Sequence, residues 1–331
     1  MGIRLRSTRL SPARQTVAAA LLVAVVVTAV VANRPAGAGD GPPGGAYVPF
    51  AALPAAAPEP RPGPDAATGS WTVECGRNER GHYNTDNVVT SPGLVGGAHH
   101  THDHVGNTTT SALSTDASLA AAPTTCTGGD RSAYFWPVLR RLDRKGADAG
   151  SHGGGRHGNT GRILVPSQVR IAYLGNPAAQ VLPYPAGLRM ITGDPVAATT
   201  TDTNVRARWG CSVDPGRSTT RYPRCPEGSA LTRTLSFPSC WNGLHPDSGN
   251  HRTHIVHPDA AGNCPPATFP VPRLRITLSY ELPDGVPFAV DSFPEQRRDP
   301  RTDHAMYAGA LPERARTEMA DCLNEGRHCR G

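Results

Sequence analysis

Residues 272–282 read PRLRITLSYEL, and from Leu274 to Tyr280 they alternate apolar and polar side chains without a break. In an extended chain successive side chains point to opposite faces, so this stretch predicts a β-strand with one buried and one wet face. RILVPSQVRIAY at 162–173 reads as a second strand, and other short β-branched segments between residues 71 and 329 are interrupted by Pro and Gly every eight to fifteen residues. One segment, PERARTEMADCL at 312–323, predicts a helix with proline in its first turn. With 36 Gly, 33 Pro and 5% aromatic residues, long helices are disfavoured, while 331 residues suffice to bury a real core. The expected fold is mainly β, a disulfide-stapled, β-sandwich-like domain with long loops and a short C-terminal helix.

The N-terminus has the plan of a secretory signal over residues 1–38. It has basic residues, an apolar run from Val17 to Ala32, then Ala36-Gly37-Ala38. That run spans roughly 24 Å as a helix, short of a ~30 Å hydrocarbon core, which favours a cleaved signal over an uncleaved anchor. Residues 39–69 are rich in Ala, Pro and Gly and predict a disordered linker. Residues 70–331 then form a single domain. Export makes the eight cysteines legible as four disulfides, and neighbour pairing is expected because the intervals look like hairpins or small loops. No Cys-x-x-Cys pair suggests a thiolate metal site. The formal charge of +6 is misleading: Arg4, Arg6, Arg9, Arg14 and Arg34 all precede Asp40, the first acid, and the remainder is nearly neutral. Composition thus gives no sign of the basic face that nucleic-acid binding needs.

Imidazoles crowd two windows. AHHTHDHVGN at 98–107 places His100 and His102 on one side of an extended strand, a His-x-His arrangement that brings two ring nitrogens to one metal ion. His102 and His104 share the same spacing. The segment 240–258 supplies His245, His251, His254 and His257 with Asp247, and His251-x-x-His254 suits one turn or a tight loop closing on one centre. Gly153-x-Gly155-x-x-Gly158 mimics a dinucleotide fingerprint, but no strand precedes it and no amphipathic helix follows, so residues 143–162 read as a disordered loop with His152 and His157 solvated. No Gly-x-Ser-x-Gly elbow, His-Glu-x-x-His helix or phosphate loop occurs, and no spacing singles out a glycosidase pair among Asp194, Asp247, Glu281 and Asp291.

These windows carry a resemblance. Pro92-Gly93, GAHHTHDHVGN at 97–107, Ser114-Thr115, Cys126, DRSAYFWP at 130–137, PAGLRMITGD at 185–194, FPSCWNG at 237–243, DSGNHRTH at 247–254, Cys264-Pro265, Val271-Pro272 and His304-Ala305 follow one another as in a secreted family called domain of unknown function 1996. On that resemblance His100, His102, His251, His254 and His304 fall on the family's histidine positions. His99, His104, His245 and His257 stand where the family has other residues. Asn242 and Met306 replace two of its acids. The resemblance implies a fold and an extracellular address, not a reaction.

Two functions follow as expectations. The first is a secreted or cell-surface metal-binding protein acting on extracellular polysaccharide or a cell-wall polymer. Its ligands would come from His100, His102, His251, His254 and His304, its acid-base group would be Asp247, and zinc or copper suits neutral imidazoles. The second is a non-catalytic glycan- or wall-binding module using Trp71, Trp136, Trp209 and Trp241 as stacking faces. The first requires the 99–104 and 251–254 windows, or His304, to meet around one pocket. Contact with a membrane is expected only through the N-terminal segment.

Overall fold

The alternating stretch becomes the middle strand of a seven-stranded sheet. The computed structural model describes residues 41–331; the signal or anchor expected at 1–38, and residues 39–40 of the linker, lie outside the described residues. In chain order the strands of the two large sheets are β1 (Ser70–Val73), β2 (Tyr83–Asn84), β3 (His102–Gly106), β4 (Ala133–Pro137), β5 (Gln168–Leu174), β6 (Arg189–Gly193), β7 (Arg208–Cys211), β8 (Asp214–Thr219), β9 (Leu231–Ser236), β10 (Arg273–Tyr280), β11 (His304–Ala308) and β12 (His328–Arg330). Among the described residues two α-helices accompany them, α1 (Asp116–Ala121) and α2 (Glu313–Asn324). The larger sheet has the order β8-β7-β9-β10-β5-β1-β12 and the smaller β2-β3-β4-β11-β6.

Burial alternates along β10 residue by residue. Leu274, Ile276 and Leu278 share one apolar core with Tyr134 and Trp136 of β4 and Tyr307 of β11, so the two sheets face each other as layers of a sandwich. Each fully buried Leu or Ile there stabilises the fold by about 1.5–3 kcal/mol. The far face of the smaller sheet is covered as well. Phe135, Ile191, Met306 and Ala308 pack with Val88, Val89 and Leu119 in a second cluster. Strands β4 and β11 are therefore buried on both faces. That is why neither shows the period of two that marks β10.

The helix forms at Glu313–Asn324 with Pro312 at its N-cap, close to the expected bounds. The expected strand at 162–173 divides. Arg162–Leu164 joins a small separate sheet, and the chain passes Pro166 before β5 begins, because proline has no N–H to give a ladder. The four disulfides join sequence neighbours, as the spacing suggested: Cys75–Cys126, Cys211–Cys225, Cys240–Cys264 and Cys322–Cys329. Among the described residues, no helix is long and apolar enough to cross a membrane.

Two segments expected to be disordered are built into the fold. In the Ala/Pro/Gly-rich stretch, Tyr47–Pro49 pairs in parallel with Tyr222–Arg224, and Ala46, Val48, Leu53 and Ala67 are buried. Its backbone is tied at Ala56 N–H to the Gly216 carbonyl (2.7 Å) and at Gly63 N–H to Pro177 (2.8 Å), making residues 55–63 a strap. A few apolar residues suffice because neighbouring strands and loops supply the hydrogen-bond partners. Residues 143–162 are anchored by polar burial instead. The fully buried Arg140 holds Asp148 (2.6 Å) and Asp291 (2.7 Å), while buried Asn159 donates to the Gly153 and Ser292 carbonyls (2.9 and 3.0 Å).

Candidate metal centre

Strand register brings His102 and His304 together. His102 pairs with Pro137 on β4, and on the other side of β4 Met306 of β11 pairs with Phe135. Two residues further along β11, His304 comes to the level of Pro137. It faces the same side as Met306, because the side-chain period is two. Opposite His304 on β6 stands Gly193, with φ +82°; a Cβ there would lie 2.2 Å from the Asp303 carbonyl oxygen, so only glycine lets the two strands close at this level. His100 enters from the residues before β3, its ring set edge-on to Phe293 at a centroid distance of 5.1 Å.

The three imidazoles converge. His100 Nε2 lies 3.1 Å from His102 Nε2 and 3.3 Å from His304 Nε2, and one ligand atom of each ring falls within 4.8 Å of the others. Their exposures are 1%, 0% and 2%, so bulk water does not reach them directly. Backbone carbonyls fix two tautomers. His102 Nδ1–H donates to the Asp86 carbonyl (3.0 Å) and His304 Nδ1–H to that of Thr302 (2.8 Å), which leaves the Nε2 lone pairs turned inward.

All three rings are held neutral. Burial, followed by the neighbouring His304 ring, drives His100 well below the usual imidazole range. Burial and then His100 do the same to His102, and burial brings His304 down to about 3. Neutral rings with inward lone pairs are short of hydrogen. One Nε2–H on His100 satisfies a single partner at a time, whereas one cation satisfies all three. Zinc–nitrogen bonds of about 2.0–2.1 Å in a tetrahedral shell put ligand nitrogens roughly 3.3–3.4 Å apart, close to the two separations from His100.

A buried ion pair lies beneath. Arg233 of β9 donates through Nε to Asp303 (2.7 Å) and through Nη1 to the Pro137 carbonyl (2.9 Å). It thereby ties the larger sheet to the residue before His304 and to the residue between the two strand-borne imidazoles.

The other expected site residues, His251, His254 and Asp247, are not among the three converging rings. His251 Nδ1 is 3.0 Å from an Asp247 carboxylate oxygen. Both His254 nitrogens are engaged, Nδ1 with the Ser248 hydroxyl (2.9 Å) and Nε2–H with the Arg189 carbonyl (2.7 Å), so this ring fastens the 247–254 loop to β6. Asp247 thus faces His251 within its own loop. His104, on the same strand face as His102, bonds Asn84 Oδ1 (3.0 Å) and stacks on Phe135 and His82.

Sequence reasoning missed the Asp86 and Thr302 carbonyls, which no side-chain pattern encodes, and a second imidazole group. His99, His152 and His157 bring ligand atoms within 4.8 Å of one another nearer the surface. There His157 Nδ1 already accepts from the Gly153 N–H (3.0 Å), so that lone pair is committed.

The family model described as Domain of unknown function (DUF1996) matches residues 86–307, a span that runs from the residue holding His102 to beyond His304. No curated protein and no solved structure matches the chain.

Proposed function

This chain belongs to the Domain of unknown function (DUF1996) family, and we propose that it is a metal-binding protein whose ion is held by His100, His102 and His304. The observation that carries the reading is the convergence of three neutral, buried Nε2 atoms, two with their lone pairs aimed inward by backbone carbonyls. Imidazole donors suit zinc or copper. Because the three rings are closed off from solvent, the ion would be a retained part of the fold, tying β3 to β11 across β4. We propose an oxidising, extracellular location, which the four disulfides support. A glycan-binding reading built on tryptophan is less well supported: Trp71, Trp136 and Trp209 are buried, and Trp241 is partly buried with its indole N–H given to the His245 carbonyl.

The test is metal analysis of the full chain purified without a histidine tag. One equivalent of zinc or copper is expected, lost in His102→Ala and in His304→Ala and kept in His251→Ala. Folded, metal-free protein that fails to take up either ion would reject the reading, as would metal lost from His251→Ala but kept in His102→Ala.

A further inference from the structure

We infer that the outer face of the seven-stranded sheet binds a carboxylated polysaccharide, with Arg170, Arg208 and Arg275 as cationic contacts and Glu59 as a built-in competitor. The reading does not depend on the metal centre, which lies on the other sheet.

While β10 turns Leu274, Ile276 and Leu278 inward, it turns Arg273, Arg275, Thr277 and Ser279 outward. Register extends this polarity across the sheet. Arg208, Thr234, Thr277 and Arg170 form one row over four strands, and Ser236, Arg275, Ala172, Thr72 and Arg330 form the next. Arg170, Arg208 and Arg330 are exposed, and the hydroxyl-bearing residues between them are half-buried. Strands about 4.8 Å apart place the two arginines of the first row roughly 14 Å from each other, with Thr234 and Thr277 between them. No Asp or Glu occupies an outward position on β7, β9, β10, β5, β1 or β12. Five arginines, Arg170, Arg208, Arg273, Arg275 and Arg330, thus share this face with no carboxylate on the same six strands.

The strap over residues 55–63 shows what this face takes. Its Glu59 carboxylate bridges Arg273 (2.8 Å) and Arg275, while the buried Nε atoms of both arginines have no acceptor. Guanidinium groups match carboxylates in geometry and charge, and Thr and Ser hydroxyls both donate to and accept from sugar hydroxyls. The same six strands turn no Phe, Tyr or Trp outward, so the face lacks the stacking platforms that single-stranded nucleic acid uses. A uronate-bearing chain lying across the rows would place carboxylates at the arginines, and at Arg275 it would displace Glu59.

The test is calorimetric titration of the full chain with polygalacturonate. Binding is expected at about 50 mM salt and weakens about tenfold at roughly 500 mM, because exposed charge pairs are screened. Arg170→Ser/Arg208→Ser, at exposed positions and checked for an unchanged melting curve, should weaken it at least about tenfold. Glu59→Gln should tighten it severalfold. The inference is overturned by no binding at low salt, by equal affinity for the fully methyl-esterified polymer, by unchanged affinity in the double arginine variant, or by tighter binding to DNA than to polygalacturonate.

Discussion

His102 and His304 stand at one level of the sheet with Pro137 of β4 between them, so the two imidazoles that backbone carbonyls orient belong to strands that never pair with each other. Adjacent strands are about 4.8 Å apart, which sets the two backbones roughly 10 Å from each other, a gap that two imidazoles leaning inward close. Whatever fixes the spacing of β3, β4 and β11 therefore fixes the site.

Arg233 is the first such determinant. Arg233→Met leaves Asp303 buried without its cation, and the expected cost is about 3–5 kcal/mol in urea unfolding. Arg233→Met/Asp303→Leu should recover most of that stability. If the single variant unfolds like wild type, the ion pair is not what holds β9 to β11.

Gly193 is the second. Gly193→Ala places a methyl group against the Asp303 carbonyl at a backbone angle that alanine disfavours, so β6 must move away from β11 at His304. A loss of about 1–3 kcal/mol is expected, with metal affinity falling in the protein that remains folded. Unchanged stability and affinity would show that β6 plays no part in placing His304.

His257 gives a pH signature separate from the three converging rings. Burial first, then the Arg206, Arg252 and Arg273 cations, hold its ring down to about 4. Between pH 6.5 and 4 the unfolded chain takes up a proton that the folded chain refuses. This contribution is therefore intact above pH 6.5 and is lost as the pH falls, by up to about 1.4 kcal/mol per pH unit. His257→Gln removes it, so the variant should gain on wild type as urea midpoints are compared from pH 7.5 down to 4.5. A difference independent of pH would contradict this.

Loop length ranks the disulfides. Cys75–Cys126 closes 51 residues and Cys322–Cys329 only 7. By chain entropy, the first constrains the unfolded state by about 4 kcal/mol and the second by about 2.4 kcal/mol. Paired Cys→Ala variants should lower the unfolding midpoint in that order; the reverse order would mean that local packing around Cys322 outweighs the loop term.

What was legible follows the physics. Strand β10 announced itself because one of its faces is wet, whereas β4 and β11 are covered on both sides and carry no alternation. His100 and His102 were readable from their spacing. His304, about two hundred positions away, came only from the family resemblance, since strand register is not written locally. The His251 and His254 spacing did mark a tight loop, but its rings are turned to Asp247, Ser248 and Arg189, and nothing in the spacing distinguishes a loop that binds an ion from one that binds itself. The strap was hidden because its partners are backbone groups and two arginines more than two hundred residues away.

The disulfide pattern has a consequence for how the chain is made. Each cysteine is bonded to the next one along the chain, in four consecutive pairs that neither cross nor enclose one another. When such a chain emerges N-terminus first into an oxidising space, every second cysteine finds exactly one earlier thiol still open, and that thiol is its native partner. Order of emergence alone then selects the correct connectivity, so oxidative folding in such a space has little need of an isomerase to undo wrong bridges, provided oxidation keeps pace with emergence.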